Sequence, residues 1–473
     1  MLRSIGSVTF LALFMVGCGG GVGSGSSGSG DSGQTLPPPP PPPATYTVEG
    51  TVSGLQGSGL ALQVAVPGIS CGPGCGHGRH SHPGHNVGPL LQITSNGPFT
   101  FDVDYSGSMG DPTTAFISHQ PYLPYQFCVM HNAPHNMQPA NVTGIQVGCS
   151  QYAYVANAGD STVSAYVVDA ISGALAAVDT PVKTGRSPDA IVGTYDRTYV
   201  FVGNEGSNDI SAFAVNFLSG ALTPVPGSPF ATGTDPRAMA LDEPYLYVAN
   251  AGSDTISVFA VDTSSGSLTP LSTFATGKGP SSILQVGPDF LYVANNGGSD
   301  DISAFLIDSG ATGMLYPVSG SPFPAGGNPL SLAAAGGFLY SANPDPTSPS
   351  ISGFSIDFST GVLSPLSGSP FPLPVSHNIA ADNAFHLYVT SGANVLGYGI
   401  DATTGALTPL PGFPVFAGAN AYSITIVNEQ FLYVADDGAA NVAAFRIDAT
   451  GSLTPIAGSP FAAGHHPQFI ATF

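Results

Sequence analysis

Positive charge is what this 473-residue sequence has least of: eight Lys plus Arg stand against 29 Asp plus Glu, for a formal net charge of −21. So acidic a chain repels phosphate backbones and anionic headgroups, which argues against nucleic-acid partners. Charge of either sign is scarce, at 8% of residues, and the Ala/Glu/Lys/Leu-rich composition of helical bundles and coiled coils is missing. In its place are 62 Gly and 44 Pro, which both break helix interiors. No Ser nucleophile elbow, phosphate-binding loop or ladder of metal ligands occurs to name a chemistry. What is present is 42% hydrophobic residues with 18 Tyr and 27 Phe, enough for sizeable cores. The expected class is all-β, with more than one domain.

The N-terminus reads as an address. Arg3 precedes an apolar run at 8–16 that is too short to span a bilayer, and Met15-Val16-Gly17-Cys18 resembles the lipobox of bacterial lipoproteins. The resemblance implies removal of residues 1–17, acylation of Cys18, and a lipid-anchored protein of the bacterial cell envelope, periplasmic or cell-surface. Residues 18–44 then form a linker, a Gly/Ser-rich coil followed by the stiff run Pro37 to Pro43.

Residues 45–149 alternate apolar and polar over short runs such as Tyr46 to Val52, Leu60 to Val66, Phe99 to Val103 and Val142 to Val147, so a small antiparallel β-sandwich is expected. Its four cysteines suggest disulfides in an exported protein, with Cys128 pairing with Cys149 and leaving Cys71 and Cys75. Between and after these last two lies a Gly-rich insertion carrying His77, His80, His82 and His85. Imidazole and thiolate are ligands for a divalent metal, but the spacing fits no closed zinc site; a surface loop stapled by Cys71 and Cys75 is the favoured reading and no cofactor is required.

From residue 150 to 473 the chain repeats. An apolar-Tyr-Val-Ala-Asn segment ends at Asn157, Asn204, Asn250, Asn295 and Asn343, and in weaker form at Ser391 and Asp436. Each is followed by another apolar run and a turn built on Gly173, Gly220, Gly266, Gly313, Gly361, Gly405 or Gly451, preceded by Asp or Asn. Pro-rich segments such as Leu222 to Phe230 mark an outer edge strand. Seven units of four strands predict a β-propeller, and the terminal Gln468 to Phe473 is expected to complete the blade that begins near Tyr152.

In wording and spacing the repeats resemble the seven-bladed propellers of the lactonase family, which includes cytosolic 6-phosphogluconolactonases, and more loosely the YncE-like surface propellers. The resemblance implies a Pro-Arg-His segment opening an inner strand and a nearby Asn-Glu. Here Pro236-Arg237 is followed by Ala238, and Asn204-Glu205 stands one blade earlier. A lactonase reading assigns Arg237 to polarise the ring carbonyl, with Glu205 or His377 as base. Aligning the innermost strands on their shared Pro puts Asp189, Arg237, Ser281, Leu330, His377, Tyr422 and Gln468 at the channel mouth, with Arg186, Lys278, His465 and His466 on the same rim beside Asp209, Asp254, Asp300 and Asp301. The competing structural reading pairs Arg237 with Asp189 or Asp235 and lets His377 and Tyr422 fill the channel. The leading expectation is therefore a monomeric scaffold that binds a small molecule, glycan or protein at the mouth; the alternative is a hydrolase opening a sugar-type lactone. Export argues against a role on phosphorylated sugars in central metabolism.

Overall fold

The structure is a computed structural model that describes residues 44–473 apart from 68–84, 106–114, 122–125, 127, 134–140, 309–311, 375, 376 and 473. The signal and linker, Cys18, Cys71, Cys75, His77, His80 and His82 lie outside the described residues. All regular structure among the described residues is β.

Seven antiparallel sheets form the C-terminal ring. Blade I comprises Gln151–Asn157, Thr162–Val168 and Leu175–Lys183; blade II opens with Pro188–Gly193, Tyr199–Asn204 and Asp209–Val215. Blades III to VII occupy residues 236–275, 280–324, 331–372, 379–416 and 421–462. Each innermost strand touches the innermost strands of both neighbouring blades, and the circuit is completed by Pro467–Thr472, which lies between those of blades VII and II. That terminal strand pairs antiparallel with Gln151–Asn157, with Phe469 opposite Ala156 and Thr472 opposite Ala153. The expected closure is observed, and blade I receives its innermost strand from the far end of the sequence.

The repeat columns have identifiable physical jobs. In blade IV the second strand, Phe290–Asn295, is buried at every residue, because both its faces pack on neighbouring blades. Its Tyr292 hydroxyl donates to the Gly361 carbonyl in the next blade's turn. The same clamp joins Tyr154 to Gly220, Tyr340 to Gly405 and Tyr388 to Gly451, and Tyr433 to Gly173 carries it from blade VII back to blade I. The turn glycine is needed twice over: Gly361 has φ +75°, and a Cβ there would lie 2.5 Å from the Phe290 ring. The Asp or Asn preceding the turn accepts its backbone N–H groups, as Asn216 does from Leu218 and Asp401 from Thr403 and Thr404.

The outer strand departs from the expected single element. In five blades it is two short pieces, Leu222–Pro224 and Phe230–Ala231 in blade II, with a cis X–Pro bond between them. In four of these the Ser before that Pro takes over an interrupted pairing: Ser321 Oγ, for example, accepts the Ala304 N–H at 2.9 Å.

Residues 44–149 form two sheets, one ordered Gly97–Tyr105, Ala44–Ser53, Val142–Gly148, Val129–His131, the other His85–Ile93, Leu60–Pro67, Ala115–His119. The antiparallel expectation needs correction, because Ala44–Ser53 runs parallel to Val142–Gly148. Gly97–Tyr105 takes one edge of the first strand antiparallel, and the last strand, reached through Ala115–His119 in the second sheet and the short Val129–His131, takes the other edge in the same direction as the first. Cys128 and Cys149 form the expected disulfide within the core that includes Val48, Leu62, Ile145 and Val147.

This unit packs on the face of the ring that carries the Asp/Asn-to-Gly turns. His131 stacks on Phe217 at 4.4 Å, Gln56 bonds Asp169 and the Ala170 N–H, and Arg197 Nη1 donates to the Ser150 carbonyl. The innermost strands begin on the opposite face.

Candidate active site

The innermost strands are specialised at their first turn of chain. In blades II, III, IV and VII and in the closing strand, register slips by one residue against the second strand, at Asp189, Arg237, Ser281, Tyr422 and Gln468. Each is thus the extra residue of a β-bulge, a device that re-aims a side chain away from the ladder. All five line one central cavity of about 190 Å³, together with Leu330, Ser282, Ser331, Asn378, Ser423 and the apolar Met239, Ile283, Leu332, Ile379, Ile424 and Phe469. Six of the seven mouth residues expected from the sequence are therefore brought together. His377 is the exception. Blade VI has no Pro at this point and its innermost strand begins only at Ile379, so Asn378 faces the cavity while the His377 ring stacks on Tyr422 at 6.1 Å. Burial lowers the His377 pKa, which keeps the ring neutral at pH 7.

The anchor asparagines, noted in the sequence only as repeat markers, build the rim. Asn204 is fully buried and its amide bonds Asp209 and Ser211, while the Glu205 N–H donates to the Ser187 carbonyl at the start of the blade II innermost strand. That fixes the Glu205 backbone, and its carboxylate meets Arg237 from blade III: Arg237 Nη2 to Glu205 Oε1 is 2.9 Å. The pair forms between adjacent blades, in place of the expected structural pairing with Asp189 or Asp235. Asp235 instead lends its carbonyl to the Ala251 N–H. The side chains of Arg237 and Glu205 are 41% and 27% exposed, so the contact is worth little to stability. Arg237 Nε is buried without a hydrogen-bond partner among the described residues.

Asp189 faces the same cavity, and none of the described residues hydrogen-bonds its carboxyl. Enclosure raises its pKa, the Glu205 charge raises it further and Arg237 pulls it back, leaving it pushed up to about 8. Tyr422 is raised as well, chiefly by burial and then by Asp189. The raised carboxyl has a consequence for folding. An unfolded Asp releases its proton near pH 4 while folded Asp189 keeps it to about 8, so its contribution to stability is lost as pH rises through that window. Asp189→Asn is expected to melt a few degrees above the parent at pH 8.5 and level with it at pH 4, read by calorimetry.

The remaining rim residues are dispersed. Arg186 and Lys278 are exposed and lie outside the cavity, their N–H groups bonded to Ser207 and Ser299. Arg186, Arg237 and Lys278 are not gathered around the cavity, since of the three only Arg237 lines it. His465 and His466 are exposed as well; the His465 N–H donates to Asp160 and His466 Nδ1 contacts Asp437 at 3.1 Å. Asp209, Asp254, Asp300 and Asp301 are occupied in holding loops, for example Asp254 by the Gly279 N–H and Asp300 by the Asn328 N–H. Of the expected metal ligands only His85 is described, at the start of His85–Ile93.

Comparison with known proteins agrees on the fold. Residues 129–232 and 150–285 match the family described as Lactonase, 7-bladed beta-propeller. Among solved structures, a candidate 6-phosphogluconolactonase from Bacteroides fragilis is 19% identical with a TM-score of 0.60, over 68% of this chain and 98% of that one. A related candidate from Bacteroides uniformis is 16% identical with a TM-score of 0.60, over 68% and 99%. The periplasmic gluconolactonase of Pseudomonas aeruginosa is 17% identical with a TM-score of 0.58, again over 68% and 99%. No curated protein matches the sequence. In fold, the chain carries a seven-bladed propeller similar to those of these proteins.

Proposed function

We propose that the protein is an extracytoplasmic hydrolase that opens a sugar-type lactone in the central cavity of its propeller. The observation that carries this reading is the meeting of Glu205 and Arg237 from adjacent blades at 2.9 Å, beside a cavity that Arg237 lines together with Asp189. A purely structural arginine would be consumed by a buried partner; this one sits at a cavity with a partly exposed carboxylate.

In the proposed reaction the Arg237 guanidinium hydrogen-bonds the lactone carbonyl and stabilises the oxyanion that forms when water adds to it. Glu205, within reach of the same point, takes a proton from that water. The hydroxyls and amides of Ser281, Ser282, Asn378 and Gln468 suit a polyhydroxylated ring, and the Tyr422 ring offers it an apolar face. With Arg237 the one cation lining the cavity, a phosphorylated substrate would lack a counter-charge of its own. His377, stacked behind Tyr422, has no part in the step.

The same reading places the protein outside the cytoplasm, anchored through acylated Cys18 after loss of residues 1–17, with 18–44 as tether, 45–149 as a small β domain and 150–473 as the propeller. The Cys128–Cys149 disulfide supports an oxidising compartment, and one structural relative is described as periplasmic. The test is turnover of a panel of unphosphorylated aldonolactones by the purified chain. Ring opening is expected, and Arg237→Ala should abolish it. Flat progress curves across the panel would instead favour the other reading, a tethered scaffold that binds a ligand or partner at the mouth.

A further inference from the structure

Resting on the hydrolase reading above, we infer that Asp189 is a catalytic residue of this site, the acid that protonates the ring oxygen as it leaves. Opening an aliphatic lactone expels an alkoxide, a poor leaving group unless a proton arrives as the bond breaks. The cavity needs a donor for that step, and the surroundings narrow the choice. Arg237 keeps its charge throughout and is engaged with Glu205. Tyr422 holds its proton too tightly, because burial above all raises its pKa, by more than the Arg237 charge lowers it. His377 is kept neutral by burial and is outside the cavity lining.

Asp189 answers the requirement. A β-bulge turns it into the cavity, no described residue hydrogen-bonds its carboxyl, and it faces Glu205, Arg237 and Tyr422. Enclosure beside the Glu205 carboxylate keeps it protonated at neutral pH, by the rule that two neighbouring carboxyl groups do not both ionise.

The step balances. Water oxygen bonds the carbonyl carbon while Glu205 takes one of its protons; the tetrahedral intermediate collapses, the bond between acyl carbon and ring oxygen breaks with its electron pair on oxygen, and Asp189 transfers its proton there. The product is the open hydroxy acid, left with Glu205 protonated and Asp189 ionised. A proton passing from Glu205 to Asp189 restores both.

The experiment compares wild type and Asp189→Asn on two substrates: an aldonolactone, whose leaving oxygen is an alkoxide, and dihydrocoumarin, whose phenolic oxygen leaves without help. On the aldonolactone, kcat of Asp189→Asn is expected to fall by about 100-fold or more, with KM little changed. On dihydrocoumarin the loss should be under about tenfold. Wild-type kcat on the aldonolactone should decline above about pH 8, and the variant should lack that limb. Infrared difference spectra should show a protonated carboxyl at pH 7 that titrates in the same range and is missing from the folded variant. Equal losses on both substrates, an unimpaired variant, or absence of the carboxyl band would overturn the assignment alone. A wild type inert on both substrates would overturn the hydrolase reading and this inference with it.

Discussion

Truncation after His466 should leave a chain that does not reach the native state. The seven lost residues are 1.5% of the sequence by length, yet they supply the innermost strand of blade I. Ile470 is 1% exposed and Ala471 8%, and the strand pairs along Ala153 to Asn157. Burying Ile470 and most of Phe469 contributes roughly 1.5–3 kcal/mol each, and each lost backbone hydrogen bond about 0.5–1.5 kcal/mol net. Their sum is comparable with the whole stability of a typical domain, about 5–15 kcal/mol. The truncated protein is expected to be insoluble or to melt more than about 10 °C lower. Adding a synthetic peptide of residues 467–473 should restore part of the lost melting temperature. A truncated protein with native melting behaviour would mean that blade I is complete without its terminal strand.

The second large effect concerns Glu205 and Arg237 taken together. Glu205→Gln removes the proposed base and keeps the shape; Arg237→Met removes the donor and keeps the stem. Each is expected to lower kcat/KM on a responsive aldonolactone by about 100- to 1000-fold, the range for a general base or an oxyanion donor. The double variant should be little worse than the weaker single variant, since both act at one carbonyl and losses within a working unit do not add. Melting temperature should hardly move, because the partners are 41% and 27% exposed and such ion pairs contribute about 0–1 kcal/mol. Fully additive losses in the cycle would show two independent sites of action, and a large fall in stability would return the pair to a structural role.

The ring was legible in the sequence because its determinants are local and repeated. The Tyr-Val-Ala-Asn segment sets a buried strand, and the Asp-to-Gly turn sets the reversal after the next one. All six cavity residues expected at the mouth followed from one short rule, the position after a Pro or its equivalent, and at five of them the ladder slips by one residue. His377 escaped the rule because blade VI starts its innermost strand late. Which carboxylate would meet Arg237 was not readable, since Glu205 and Asp189 are near neighbours in sequence and only the packing of blade II against blade III separates them. The rim acids were over-read for a related reason: Asp254 and Asp300 look free in a linear sequence, yet each holds a loop N–H belonging to another strand connection. The parallel pairing of Ala44–Ser53 with Val142–Gly148 leaves no periodic signature, as alternation is the same in either direction.

The seam between Gln151–Asn157 and Pro467–Thr472 joins segments roughly three hundred residues apart. A ribosome makes the early partner long before the late one, so blade I must wait, three strands wide, until residues 467–472 have been made. During that wait its bare margin is a template for any extended chain nearby. Closing this wheel therefore comes only after every other blade has been synthesised, and whatever guards the unfinished blade in the cell has to hold on until then.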